Sequence, residues 1–368
     1  VKRALRQVRS FVKGWVAVLA LVGLGSGCAG SLPSAVPVDS PEHSYSNGMA
    51  FLDKGEYENA LLEFERAKAK DPKYAPAYLG IALVKAAQGE FQVAFAALDK
   101  ARSLDGAAVH ASAIRVFTAE HGEGWLQSAE KEFEAGRAKD PLNPALYFYM
   151  GKAYEKAYSF EKAGSMFRRV LALNRGFSDE ALFALRRLER IQQANLSTDV
   201  GKRVALLPKV TRGDLAALLV KELGVDPQIL KVSKATGSPQ EFPSATDLAG
   251  HPYKTEIETV VEWRLRGLGP FPDHTFAPEK PVSRADFSIV IEDLIARLKG
   301  RRNPRPYPRS FLSPFTDLTP DHYAYDAILW LTSERILEPR PDGRFGATEP
   351  LSGIEAISAI ARIKEGLK

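Results

Sequence analysis

One residue in this sequence is placed for covalent chemistry on its side chain. Cys28, the sole cysteine of 368 residues, closes the run Leu24-Gly25-Ser26-Gly27-Cys28, and a lone thiol behind small residues at the end of an apolar stretch reads as a lipid attachment point. Five basic residues (Lys2, Arg3, Arg6, Arg9, Lys13) and an apolar run from Trp15 to Leu24 precede it, which is the layout of a secretory signal. The run is too short to span a bilayer, which takes about 20 apolar residues. Cleavage before Cys28 is expected; an ordinary signal or an uncleaved anchor with an incidental thiol is the alternative. Other reactive patterns are missing. His43, His110, His121, His251, His274 and His322 lack metal-ligand spacing, and no phosphate-cradling glycine loop, G-x-S-x-G or H-E-x-x-H occurs. The expectation is a chain that is not an enzyme and holds no metal or cofactor.

The segment around Cys28 resembles a bacterial lipoprotein signal, with Gly25 where leucine is commoner. That resemblance implies a diacylglycerated Cys28 and, because Ala29 rather than aspartate follows it, an outer-membrane anchor facing the periplasm. Loss of residues 1–27 removes five basic residues and no acidic ones. Of the 50 lysines and arginines 45 then remain, against 45 aspartates and glutamates. A neutral balance gives no support to a nucleic-acid partner, since that needs excess cations to neutralise phosphates. With its one thiol acylated, the chain has no internal disulfide and depends on packed cores. Residues 28–41 include the proline-rich stretch Ala29 to Ser40, a tether reaching about 20 Å as a coil.

Self-comparison finds a 34-residue offset. Gly55-Glu56-Tyr57 recurs as Gly89-Glu90-Phe91, Ala60 as Ala94, Phe64 as Leu98 and Ala67 as Ala101, while Ala129 and Phe133 return as Ala163 and Phe167. That period belongs to a two-helix solenoid unit. The positions resemble tetratricopeptide repeats over residues 42–177, in which Gly48, Ala60, Ala82, Ala94, Gly151 and Ala163 let helices approach and Phe64, Tyr78, Tyr147 and Phe167 fill the gaps. One residue is inserted between Ala94 and Ala129, so the third repeat is degenerate. Family geometry puts Tyr45, Met49, Leu52, Leu79, Leu83, Ala86, Phe148, Lys152 and Glu155 on the inner face. This implies a protein or peptide partner, with a helix or apolar segment favoured over an acidic tail, or else residues simply buried between helices.

Residues 178–368 carry a second repeat. Pro272-Asp273, Phe276, Pro281, Ser283 and Asp286 match Pro341-Asp342, Phe345, Pro350, Ser352 and Glu355 at an offset of 69. Ser283 with Asp286, and Ser352 with Glu355, have N-cap spacing; Asp273 and Asp342 are expected as turn formers, and Trp263 and Trp330 as core. Phe315-Thr316-Asp317, His322-Tyr323-Ala324, Pro341-Asp342-Gly343-Arg344-Phe345 and Ser283-Arg284-Ala285-Asp286 resemble S-layer homology motifs, and Thr211-Arg212-Gly213-Asp214 adds a further copy. Three units follow, about 178–225, 242–299 and 312–366. The resemblance implies an all-α chain, a helical solenoid followed by a pseudo-threefold module that binds cell-wall polysaccharide or peptidoglycan. It also implies Arg212 and Arg284 as glycan ligands and, with Gly353 at the arginine position, an inactive or purely structural third groove. The first copy lacks a leading helix. The stretch from Ser178 to Gln192 is expected to serve both as that helix and as the cap of the solenoid. Lys299 to Arg309 holds five basic residues, as a solvated linker or as a basic arm toward anionic glycan or lipid.

The expected function is a lipid-anchored envelope scaffold joining a protein partner to cell-wall glycan. The alternative is a lipoprotein assisting pilus, secretion or outer-membrane assembly, with the second module docking protein.

Overall fold

The structure, a computed structural model, describes residues 39–224, 245–299 and 313–366. Cys28, the signal, nearly all of the tether and the basic stretch after Lys299 lie outside the described residues. The described residues form fifteen α-helices and no strand, so the all-α expectation holds. No described helix is long and apolar enough to cross a membrane.

The first eight helices are four hairpins: α1 (Pro41–Asp53) with α2 (Tyr57–Lys70), α3 (Ala75–Ala87) with α4 (Phe91–Leu104), α5 (Val109–Glu120) with α6 (Trp125–Lys139), and α7 (Pro144–Lys156) with α8 (Phe160–Leu173). Glycine makes the close approaches. A Cβ on Gly48 would sit 2.5 Å from the Phe64 ring, and one on Gly151 2.6 Å from Phe167. Both rings are fully buried, and fully burying such a side chain stabilises by about 1.5–3 kcal/mol. The residue inserted in the third repeat falls in the α5–α6 turn, where left-handed His121 and Gly124 absorb it. Both helices of the degenerate repeat therefore keep their packing.

Helix α9 (Ser178–Gln193) packs on α8 and then continues into the second module. There follow α10 (Asp199–Ala205), α11 (Arg212–Ala217, extended by a π-helical turn Leu218–Glu222), α12 (Lys254–Trp263), α13 (Arg284–Leu298), α14 (Tyr325–Ser333) and α15 (Gly353–Gly366). Three extended segments meet at the centre in a closed ring of hydrogen bonds. The Val210 N–H donates to the Leu351 carbonyl, Leu351 to Val282 and Val282 back to Val210, each at 2.9 Å. Around this ring the leading helix of each motif packs on the capped helix of the motif before it: α12 on α11, α14 on α13, and α9 on α15. The three leading helices also end alike. Asn195, Arg264 and Arg335 take positive φ (46°, 53° and 55°) and donate their N–H groups back to Gln192, Val261 and Thr332. Helix α9 is thus both the solenoid's last helix and the first motif's leading helix, and one hydrophobic core runs from Ile114 through Leu188 to Ile363.

Carboxylates brace the loops between these helices. Asp247 accepts the Phe276 and Ala277 N–H groups at 2.8 and 2.7 Å, and Asp317 accepts those of Phe345 and Gly346 at 2.7 and 2.8 Å. Burial works to raise both acids, but these amides outweigh it and hold them below the ordinary carboxylate range. Glu222, buried at the π turn, likewise has burial overcome by Lys364, Thr198 and Ser197.

Two outcomes are expected. A Cβ on Gly353 would overlap the Val204 carbonyl oxygen, so Gly353→Ala should destabilise by about 3 kcal/mol in denaturant unfolding; an unchanged or raised midpoint would contradict this packing. The depressed carboxylates contribute fully above about pH 4, their ordinary value, and lose that contribution as pH falls through their lower folded values. The thermal midpoint should therefore drop below about pH 4, less so in Asp317→Asn, and a flat midpoint down to about pH 3 would refute the bracing role.

Candidate functional site

The arginine of each Ser/Thr-Arg pair sits at the N-terminus of a capped helix. Thr211 and Asp214 form a reciprocal capping box, Ser283 accepts from the Asp286 N–H at 3.0 Å, and the Ser352 N–H donates to Glu355 at 3.0 Å. The three acids thus work at helix starts. Asp273 and Asp342 accept the Thr275 and Arg344 N–H groups in their turns.

Neither arginine faces a ligand. Arg284 has no exposed surface: Nε donates to the Phe345 carbonyl at 2.8 Å, Nη2 to the Glu338 carbonyl at 2.7 Å, and Nη1 pairs with Glu355. Its guanidinium lies 4.5 Å from the centre of the Phe345 ring. Arg212 repeats the pattern on the carbonyls of Phe276, Gly267 and Gly269 at 2.7, 3.0 and 2.6 Å, over Phe271 and Phe276. Each threads the loop of the following motif and satisfies carbonyls that would otherwise be left unpaired. The expectation that these two arginines hold glycan is corrected on that ground, because their donors are already engaged inside the fold. Burial pushes both guanidinium pKa values down, with Glu355 opposing at Arg284 and Asp286 and Asp247 at Arg212.

At the third seam Gly353 has no side chain to thread, and its N–H bonds the Leu207 carbonyl at 2.9 Å. Beside it a groove of about 880 Å³ opens between α9 and the third motif. Phe183, Arg186, Arg187 and Arg190 line one wall; Arg340, Glu355 and Arg362 belong to the other. Arg340 is held by Glu349 and Glu355, Arg362 by Glu338, and Arg187 by Glu155. Arg186 and Arg190 have no side-chain hydrogen bond or ion pair among the described residues, and Arg190 only adds to the positive field on Glu338. Phe183 is 71% exposed. Two free guanidinium groups four residues apart share a helix face, and such a pair can take a carboxylate or phosphate in forked hydrogen bonds, with an aromatic face beside them for apolar contact. The sequence signal was Arg186-Arg187-x-x-Arg190, passed over because the stretch read only as a cap.

In the solenoid, Leu79 and Leu83 are buried between helices and belong to the core. Tyr45, Met49 and Leu52 are half-buried, with the Tyr45 ring 5.6 Å from Phe64. Phe148 stacks on Phe177 at 4.9 Å. Glu155 is buried and held by Lys152 at 2.6 Å as well as by Arg187. A second pocket, about 480 Å³, lies at this end between Phe148, Lys152, Asp179, Glu180, Phe183, Ala184 and Arg187. Sequence reasoning also missed Arg115, whose guanidinium lies 4.6 Å from the centre of the Tyr149 ring. No group of His, Cys, Asp and Glu side chains placed for a metal ion occurs among the described residues.

Residues 314–357 match the S-layer homology domain family. A 96-residue stretch is 28% identical to Cell surface glycoprotein 1 of Acetivibrio thermocellus, covering 26% of this chain and 4% of that protein's length. In overall shape the chain is similar to TTC0263, a thermophilic TPR protein in Thermus thermophilus, with TM-score 0.37, 19% identity, 50% of this chain and 91% of that one. It is also similar to MamA protein, with TM-score 0.27, 16% identity, 44% of this chain and 98% of that one. The family match points to the cell envelope and to cell-wall binding, and the repeated helical pairs point to protein–protein interaction.

Proposed function

We propose that this protein is a non-catalytic envelope adaptor, binding an anionic cell-wall polymer in the groove along α9 and a protein partner in the solenoid, with Cys28 as lipid anchor in the outer membrane. The observation that carries the reading is the pair of unpartnered arginines, Arg186 and Arg190, beside exposed Phe183 in a groove of a module that matches a wall-binding family. The closed packing of the three motifs supports binding because little ordering entropy is lost on contact. The neutral balance of the processed chain confines attraction to this local field.

Pull-down on purified peptidoglycan with its attached polymers tests the groove. Wild type should sediment with the wall, and Arg186→Ala plus Arg190→Ala should weaken binding about tenfold with a shallower salt dependence. Absence of wall binding by the wild type would defeat this reading in favour of a module that docks protein. For the anchor, Cys28→Ser should move the folded protein from the membrane to the soluble fraction; retention would count against lipidation.

A further inference from the structure

Helix α9 changes charge along its length, and its two parts line different cavities. Its first turn places Asp179 and Glu180 in the 480 Å³ pocket at the end of the solenoid, with Ala184, Phe148 and Phe183 also lining it. Further along, Arg186 and Arg190 line the module's groove, while Phe183 and Arg187 line both. The pocket's two cations, Lys152 and Arg187, are committed to buried Glu155. Asp179 and Glu180 carry no ion pair among the described residues, so the charge left over in this pocket is negative. Phe148 and Phe183 give it apolar walls, and Phe183 is 71% exposed.

We propose that this pocket takes a basic, apolar segment of a partner protein, with one apolar side chain against Phe148 and Phe183 and a neighbouring lysine or arginine on Asp179 and Glu180. The inference rests on the solenoid being the protein-binding end and names the chemistry of what it binds. Charge complementarity selects the occupant. An acidic segment meets two unpaired carboxylates here, whereas a basic one is repelled from the arginines of the groove, so the two sites discriminate in opposite directions. They also share Phe183 and Arg187. A cation in the pocket reduces the negative field next to those residues and should strengthen anion binding in the groove, and the coupling must be reciprocal.

The probes are fluorescein-labelled, amidated twelve-residue peptides alternating leucine with lysine or leucine with glutamate, read by fluorescence anisotropy on the purified full chain. The lysine peptide should bind at least about tenfold more tightly than the glutamate peptide, and Asp179→Asn plus Glu180→Gln should remove about that preference. Phe183→Ser should weaken binding of the lysine peptide, and because that side chain is mostly exposed the variant tests the pocket even if the double variant fails to fold. Glu58→Gln plus Glu65→Gln, at exposed positions of α2, should leave binding unchanged if attraction is specific to the pocket. Equal affinity for the two peptides, or an undiminished preference in the folded double variant, overturns the inference. Wall pull-down of the same samples separates the two readings: wild type that binds wall but shows no peptide preference removes only the pocket proposal, whereas peptide preference without wall binding removes only the groove.

Discussion

Three backbone hydrogen bonds at the centre of the C-terminal module hold the rest of the molecule in place. Val210, Leu351 and Val282 are buried, and each N–H donates to the carbonyl of another in a closed ring. Buried backbone groups must be paired, yet these segments are too short to form a sheet that would pair them two at a time. Only the presence of all three motifs satisfies them. The first motif therefore needs a leading helix against α15, and α9, already packed on α8, occupies that place. This is why solenoid and module share one core.

The threefold repeat breaks where it matters for binding. At two seams an arginine from the capped helix runs through the next loop and fills the interface with guanidinium hydrogen bonds and ring contacts. At the third, Gly353 admits the Val204 backbone and leaves the outer part of the seam open. Its wall is a helix borrowed from the solenoid, and that helix carries arginines with no internal carboxylate to engage them. Two filled seams give the module its rigidity, and the unfilled one gives it a groove.

Much of this was legible in the residues. The 34-residue and 69-residue offsets located the helical pairs and the motifs because glycine–aromatic approaches such as Gly48 on Phe64, and caps such as Ser283 with Asp286, are local demands that recur with the repeat. The shared role of α9 could be inferred from spacing, and the packing bears it out. The inserted residue of the third repeat was visible, though its harmless placement in the α5–α6 turn was not. Arg212 and Arg284 were misread because a sequence position does not say whether a guanidinium points outward or threads a loop. Leu79 and Leu83 were placed on an inner face that neighbouring helices cover.

By itself the sequence determined the architecture: which helices form, how they pair, and where each motif begins. Periodic burial and helix capping are short-range requirements written residue by residue. The tertiary structure alone decided which charges remain free. Arg284 and Arg186 are the same side chain, and nothing local separates them; one meets Glu355 and two carbonyls from a motif more than fifty residues away, and the other meets none. Partnership between distant groups exists only once the ring has closed, and that is what moved the candidate site from the motif arginines to α9.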